Sequence, residues 1–135
     1  MNTPASDPRA VALAYRQATL ENAPPVKIVR MLYEGALRFL DRALAANAQE
    51  AAGAFTQACS RADAIANELR CSLDHAVDPA TSRDLDRLYL FVQDRIAQAV
   101  IDRTTEPLPA ARRVMATLLE GWTAVEAGTG AGARS

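Results

Sequence analysis

The sequence predicts an all-α protein, an antiparallel up-and-down four-helix bundle with a short N-terminal helical segment. In four long stretches, apolar residues recur at steps of three and four, the spacing that places side chains on one face of an α-helix. Prolines, glycines and polar residues separate the four stretches, and none shows the alternation of a β-strand. Helices of similar length joined by short connections favour antiparallel neighbours.

The bulk composition restricts the classes of function. The chain has 135 residues, enough for one domain with a hydrophobic core. Its 15 basic and 16 acidic residues are interleaved, so no basic stripe indicates binding to nucleic acid or to an anionic membrane surface. The sequence contains no apolar run long enough for membrane insertion, and its N-terminus MNTPASDPRA does not resemble a secretory signal. We therefore expect a cytoplasmic protein.

The pattern divides the chain into an N-terminal cap segment (residues 1–22), a four-helix bundle domain (23–127) and a flexible tail (128–135). The cap segment has a short apolar stripe consisting of Val11, Ala14, Tyr15 and Ala18. A helix this short is unstable alone, so it must dock on the bundle or stay disordered. The tail, beginning GTGAGARS, has no large apolar side chain to bury.

The first bundle helix is more apolar than a bundle requires. It should begin near Pro25, because proline suits a first helical turn, and end near Ala46. Its main stripe, which we assign to the core, contains Ile28, Met31, Leu32, Gly35, Ala36, Phe39, Leu40, Ala43 and Leu44. A second apolar strip beside it contains Val29, Tyr33 and Leu37. Together they cover about two-thirds of the helix circumference, whereas a surface helix needs only about 100°.

The second bundle helix follows the predicted turn NAQEAAG. Its core stripe contains Phe55, Ala58, Cys59, Ala62, Ile65, Ala66, Leu69 and Leu73. Cys59 and Cys71 would both lie on this helix, separated by about 18 Å. A disulfide tolerates a Cα separation of no more than about 7 Å. We expect two free thiols, with Cys59 in the core.

The third and fourth bundle helices complete the fold. Thr81 or Ser82 would cap the third helix, which ends near Arg103 and has a core stripe of Leu85, Leu88, Tyr89, Val92, Ile96, Ala99 and Val100. Beside that stripe lies a second apolar strip formed by Leu90, Ala97 and Ile101. The fourth helix, from about Pro109 to Glu126, would bury Ala111, Val114, Met115, Leu118, Trp122 and Val125.

The residues carry little potential for catalysis. With one histidine and no dinucleotide or phosphate-binding motif, the sequence predicts no metal, no cofactor and no enzymatic activity. His75 could accept a phosphoryl group, because histidine phosphotransfer domains are also four-helix bundles. However, Asp74 and Asp78 flank it and would repel phosphate.

The surplus apolar strips instead predict a binding surface. An amphipathic partner could lie in a furrow between two helices. Uneven burial within the monomer would also explain the strips, as would a homodimer in which they meet across a two-fold axis.

The order of residues resembles the FliS family, the flagellin-specific export chaperones. The stretch APPVKIVRMLYEGALRFLDRAL resembles the family signature through Tyr15, Ala23, Pro25, Met31, Leu32, Tyr33, Glu34, Gly35 and Ala36. RADAIANEL, LYLFVQDRIAQA and LLEGW resemble the motifs of the following helices, and the resemblance extends from about residue 11 to residue 126.

The resemblance implies a cytoplasmic chaperone that binds the disordered C-terminal segment of flagellin. Such a protein prevents premature polymerisation and assists delivery to the export gate protein of the flagellar type III system. We expect partner contacts from Val29, Tyr33, Leu37, Leu90, Ala97 and Ile101, with Tyr15 anchoring a removable cap. We expect structural roles for Pro25, Leu32, Gly35, Leu88, Tyr89 and Trp122.

Overall fold

The computed structural model describes residues 7–18, 26–50, 53–76 and 78–134, with side chains for all of these except 26–27 and 125–134. The described chain forms five helices, namely α1 (Pro8–Ala18), α2 (Val26–Ala45), α3 (Ala54–Cys71), α4 (Pro79–Asp102) and α5 (Leu108–Arg134). The all-α prediction is therefore confirmed, and Pro25 lies outside the described residues. Of these helices, none combines the length and the apolar character needed to span a lipid bilayer.

Helices α2 to α5 form a square bundle. Helix α2 packs against α3 and α5, and α4 packs against the same two helices, so α2 and α4 are diagonal to each other. Helices α3 and α4 run antiparallel, since Arg70 near the end of α3 pairs with Asp86 in the first half of α4, and so do α2 and α5, since Asp41 pairs with Arg112. Helix α1 lies outside the square, against α5 and α4.

The helix ends differ from the prediction at two places. Helix α4 begins at Pro79, and its cap is Asp78 rather than Thr81 or Ser82. The Asp78 carboxylate accepts hydrogen bonds from the backbone N–H and the hydroxyl of Thr81. The backbone of α5 continues to Arg134, past the predicted end at Glu126 and into the segment predicted to be a tail.

The core consists of residues from all five helices. Each predicted stripe of α3, α4 and α5 is buried or half-buried wherever its side chains are described, and Leu32 and Leu88 are half-buried against the core. Leu108, which the sequence analysis did not select, is also fully buried. Gly35 is buried where α2 meets α3, and a Cβ there would lie 3.3 Å from Cδ1 of Ile65.

The orientation of α2 corrects the predicted core stripe. Ile28 and Met31, which were assigned to the core, are 54% and 57% exposed. Val29 and Tyr33, which were assigned to an open strip, are buried. The N-terminal stripe is also rotated, because Ala14 and Ala18 are exposed and the buried residues of α1 are Val11, Ala12, Tyr15 and Arg16.

Both cysteines lie on α3 as predicted, and both are free thiols. Cys59 is buried and Cys71 is exposed. Burial raises the pKa of the Cys59 thiol to about 11.

Candidate functional site

The centre of the bundle holds an aromatic cluster. Tyr33 of α2 and Tyr89 of α4 are hydrogen-bonded through their hydroxyls, and the Tyr33 ring lies 6.4 Å from that of Trp122 between centroids. All three side chains are buried. Burial raises the pKa of both tyrosine hydroxyls above the usual value, so both stay protonated at neutral pH. Tyr33 is therefore a core residue in this structure, together with Val29, and Leu37 is half-buried.

An apolar groove lies between α3 and α4. It has a cavity volume of about 330 Å³ and is lined by Thr56, Cys59, Ser60, Asp63, Ile96, Ala97, Val100 and Ile101. Ile101 is 72% exposed at its rim, although it is a large apolar side chain. Two of the predicted partner-binding residues, Ala97 and Ile101, are thus brought together on an open surface. We call this surface the α3–α4 groove.

The same face of α4 continues toward the start of that helix. Leu90 precedes Ala97 by two helical turns, which places both residues on one face, and it is 41% exposed. Farther along, an ion pair of 2.7 Å joins Arg70 of α3 to Asp86 of α4 and crosses the space between the helices. The neighbouring Phe91, which lies in neither predicted strip, is also 41% exposed.

A second depression lies between α2 and α3, with a volume of about 650 Å³. It is lined by Phe39, Arg42, Ala45, Ala46, Ala54, Gln57, Ala58 and Arg61. A shallow surface on α3 connects this depression with the α3–α4 groove through Gly53, Ala54, Thr56, Gln57, Ser60, Arg61 and Ala64. The three surfaces share residues, and most of these are small. Together they form a continuous band around the first half of α3, which we call the α3 track.

Helix α1 lies on a different face. Tyr15 is buried, and its hydroxyl accepts a hydrogen bond of 2.9 Å from the backbone N–H of Asp74 in the α3–α4 connection. The Arg16 guanidinium lies 5.1 Å from the centre of the Trp122 ring, a favourable cation–π geometry. Gly121 permits this docking, because a Cβ there would lie 2.5 Å from the carbonyl oxygen of Arg9. In the described part of the chain, α1 contacts α4 and α5 and leaves the α3–α4 groove uncovered.

His75 lies in an exposed turn between α3 and α4. It is therefore not displayed on a helix, the position that the phosphotransfer alternative requires.

These features define a helical-bundle protein that presents open apolar grooves, the kind of surface that binds an amphipathic segment of another chain. A family model described as "Flagellar protein FliS" matches residues 8–129. The chain belongs to the FliS family, a family of flagellar secretion chaperones. No curated protein shows a significant match to the chain.

Proposed function

We propose that this protein is an export chaperone that binds the disordered C-terminal segment of flagellin in the cytoplasm. The segment would lie in the α3–α4 groove and follow the α3 track. The complex would then deliver flagellin to the export gate of the flagellar type III system. The observation that carries this proposal is the exposed apolar rim at Ala97 and Ile101 in a member of the FliS family.

The physical chemistry of the groove supports this assignment. A chain end that packs into a filament carries an amphipathic face, and that face associates with other copies if it stays uncovered. The α3–α4 groove offers apolar side chains with a single acidic residue, Asp63, at its edge. Burial of the apolar face of the segment drives binding, while the cost of ordering a disordered segment keeps the complex releasable.

We assign α1 the role of a cap with Tyr15 as its anchor. Tyr15 and Arg16 hold α1 over the face around Trp122 through a hydrogen bond and a cation–π contact. Release of α1 would expose this second apolar face between α4 and α5 to the same partner. The contact of Tyr15 with the carried segment would therefore be indirect.

Isothermal titration calorimetry with the C-terminal fragment of flagellin from the same bacterium tests the proposal. We expect a one-to-one complex and a negative heat-capacity change, because apolar surface is buried. Ile101→Asp should weaken binding by at least about tenfold, since a charge would enter the apolar contact. Met31→Asp is the matched control, because it introduces the same charge at an exposed apolar residue of α2, away from α4.

Two results would contradict the proposal. Absence of binding by the unmodified protein would reject the function. Binding that Met31→Asp weakens and Ile101→Asp leaves unchanged would move the site to α2. Far-UV circular dichroism should show equal helicity for both variants, and light scattering should distinguish the one-to-one complex from a homodimer that ignores the fragment.

A further inference from the structure

We propose that Phe39, Arg42 and Arg61 form an anchor for an acidic side chain of the carried segment, at the α2–α3 end of the α3 track. This inference rests on the proposed function and adds to it the chemical class of one contact. The segment would place an Asp or Glu carboxylate between the two guanidinium groups and an apolar neighbour against the alanines of the depression.

The geometry of the two arginines supports this site. The guanidinium carbons of Arg42 and Arg61 lie 5.2 Å and 5.8 Å from the centre of the Phe39 ring. One arginine comes from α2 and the other from α3, so the half-buried ring holds two cations of different helices near one depression. A guanidinium placed over an aromatic face keeps the N–H groups on its edge available for a carboxylate.

Among the described residues, four other arginines already form ion pairs. Arg70, Arg87, Arg95 and Arg112 each pair with an aspartate. Neither Arg42 nor Arg61 has a carboxylate of the described residues within 4.0 Å. Asp41, the sequence neighbour of Arg42, is held by Arg112 of α5 at 2.6 Å. The acidic residue of the α2–α3 connection, Glu50, packs beside Gly53 without an ion pair to either arginine.

The charges around the depression are complementary to one class of partner side chain. Ala45, Ala46, Ala54 and Ala58 line the depression together with Phe39 and Gln57, and Arg42 and Arg61 add two positive charges. Positive charges beside an apolar lining are complementary to an acidic side chain that lies next to an apolar one. The opposite end of the α3 track carries the negative charge of Asp63. The two ends therefore favour one direction of the bound segment, with its acidic residue at α2.

Salt-dependent calorimetry with the same flagellin fragment tests this anchor. We expect the double variant Arg42→Gln/Arg61→Gln to bind about tenfold more weakly at 50 mM NaCl, because two charge-assisted contacts to the carboxylate are lost. Its affinity should also change less between about 50 and 300 mM NaCl than that of the unmodified protein. Arg83→Gln/Arg113→Gln is the matched control, since it removes two exposed arginines outside the α3 track, and it should leave the affinity unchanged.

Photo-crosslinking locates the contact while both arginines are retained. With p-benzoylphenylalanine at Gln57, which lines the same depression, we expect crosslinks to a stretch of the fragment that contains Asp or Glu. Unchanged affinity of Arg42→Gln/Arg61→Gln, or crosslinks only to a stretch without acidic residues, would overturn the anchor and leave the proposed function intact. Absence of binding by the unmodified protein would instead reject both.

Discussion

The hydroxyl oxygens of Tyr33 and Tyr89 lie 2.5 Å apart and connect α2 with its diagonal neighbour α4. Both tyrosines are almost fully buried, so each hydroxyl satisfies the other in a place with little access to water. A buried polar group that loses its partner costs about 1–3 kcal/mol of stability. The pair therefore couples two helices that do not pack directly against each other.

The losses of stability from removing the two tyrosine hydroxyls should not be additive. We expect Tyr33→Phe and Tyr89→Phe each to lower the free energy of unfolding by about 1–3 kcal/mol, because the remaining hydroxyl becomes unsatisfied. The double variant should be more stable than the sum of the single losses predicts. Urea unfolding of all four proteins measures this coupling, and strictly additive losses would show that the two hydroxyls do not depend on each other.

The docking of α1 should depend on the absence of a side chain at Gly121. Gly121→Ala places a Cβ 2.5 Å from a backbone oxygen of α1, so we expect α1 to leave its site. Trp122, the one tryptophan in the sequence, lies beneath Arg16 and should report this as a red shift of its fluorescence. Gly35→Ala is the matched control, because its new Cβ would meet only the ends of two side chains, those of Ile65 and Arg38.

Limited proteolysis should also detect the release of α1 in the Gly121→Ala protein. The Gly121→Ala protein should be cut within residues 8–18 faster than the unmodified protein, while Gly35→Ala should retain the original rate. An unshifted emission spectrum together with an unchanged cleavage rate would show that α5 or α1 moves to accommodate the methyl group.

The two cysteines should differ in reactivity. Cys71 is exposed and Cys59 is buried on the floor of the α3–α4 groove. Under native conditions we expect a thiol reagent such as DTNB to label Cys71 rapidly and Cys59 only after unfolding, because the buried thiol is both inaccessible and protonated. Labelling of Cys71→Ser at the rate of the unmodified protein would contradict this assignment.

The raised pKa of Cys59 should make stability decrease at alkaline pH. Its pKa is about 11 in the folded protein, against a reference value of 9.0. The folded state therefore favours the neutral thiol. The resulting contribution to the free energy of unfolding is present in full below pH 9 and is lost as the pH rises through 11. Chemical unfolding between pH 8 and pH 11 should show a smaller decrease for Cys59→Ala, and equal decreases would rule out a contribution from this thiol.

The start of α4 should depend on the Asp78 cap. We expect Asp78→Ala to reduce the free energy of unfolding by about 1 kcal/mol, because the first turn loses a side-chain acceptor. Asp94→Ala is the control, since that carboxylate forms an exposed pair with Arg95 and such pairs contribute little. Thermal unfolding measures both variants, and equal losses would show that the cap is not important.

Periodicity identified the helices well and the orientation of α2 poorly. The stripe of α3 is narrow, and on α4 the seven residues of the core stripe outnumber the three of the second strip, so the face that enters the core was clear for both helices. The apolar arc of α2 is so wide that periodicity does not distinguish the side at Met31 from the side at Tyr33. That choice depends on partners far away in the sequence, because the Tyr33 hydroxyl meets Tyr89 and its ring meets Trp122. Such contacts exist only after the helices assemble.

The sequence likewise predicted one part of the candidate site and not the other. Ala97 and Ile101 were predicted as surface residues because they lie beside an already complete stripe. Both are exposed in the structure. The depression at Phe39, Arg42 and Arg61 was not predicted, because Phe39 was assigned to the core stripe and single arginines carry no periodic signal. Its residues come from two helices and meet only in the folded chain.

The Arg70–Asp86 ion pair sets one end of the exposed apolar face of α4. Asp86 and Ile101 lie fifteen residues apart on α4, which corresponds to about 22 Å of helix at 1.5 Å per residue. The exposed apolar face of α4 is therefore about four helical turns long, and the ion pair ends it on the side toward the start of the helix.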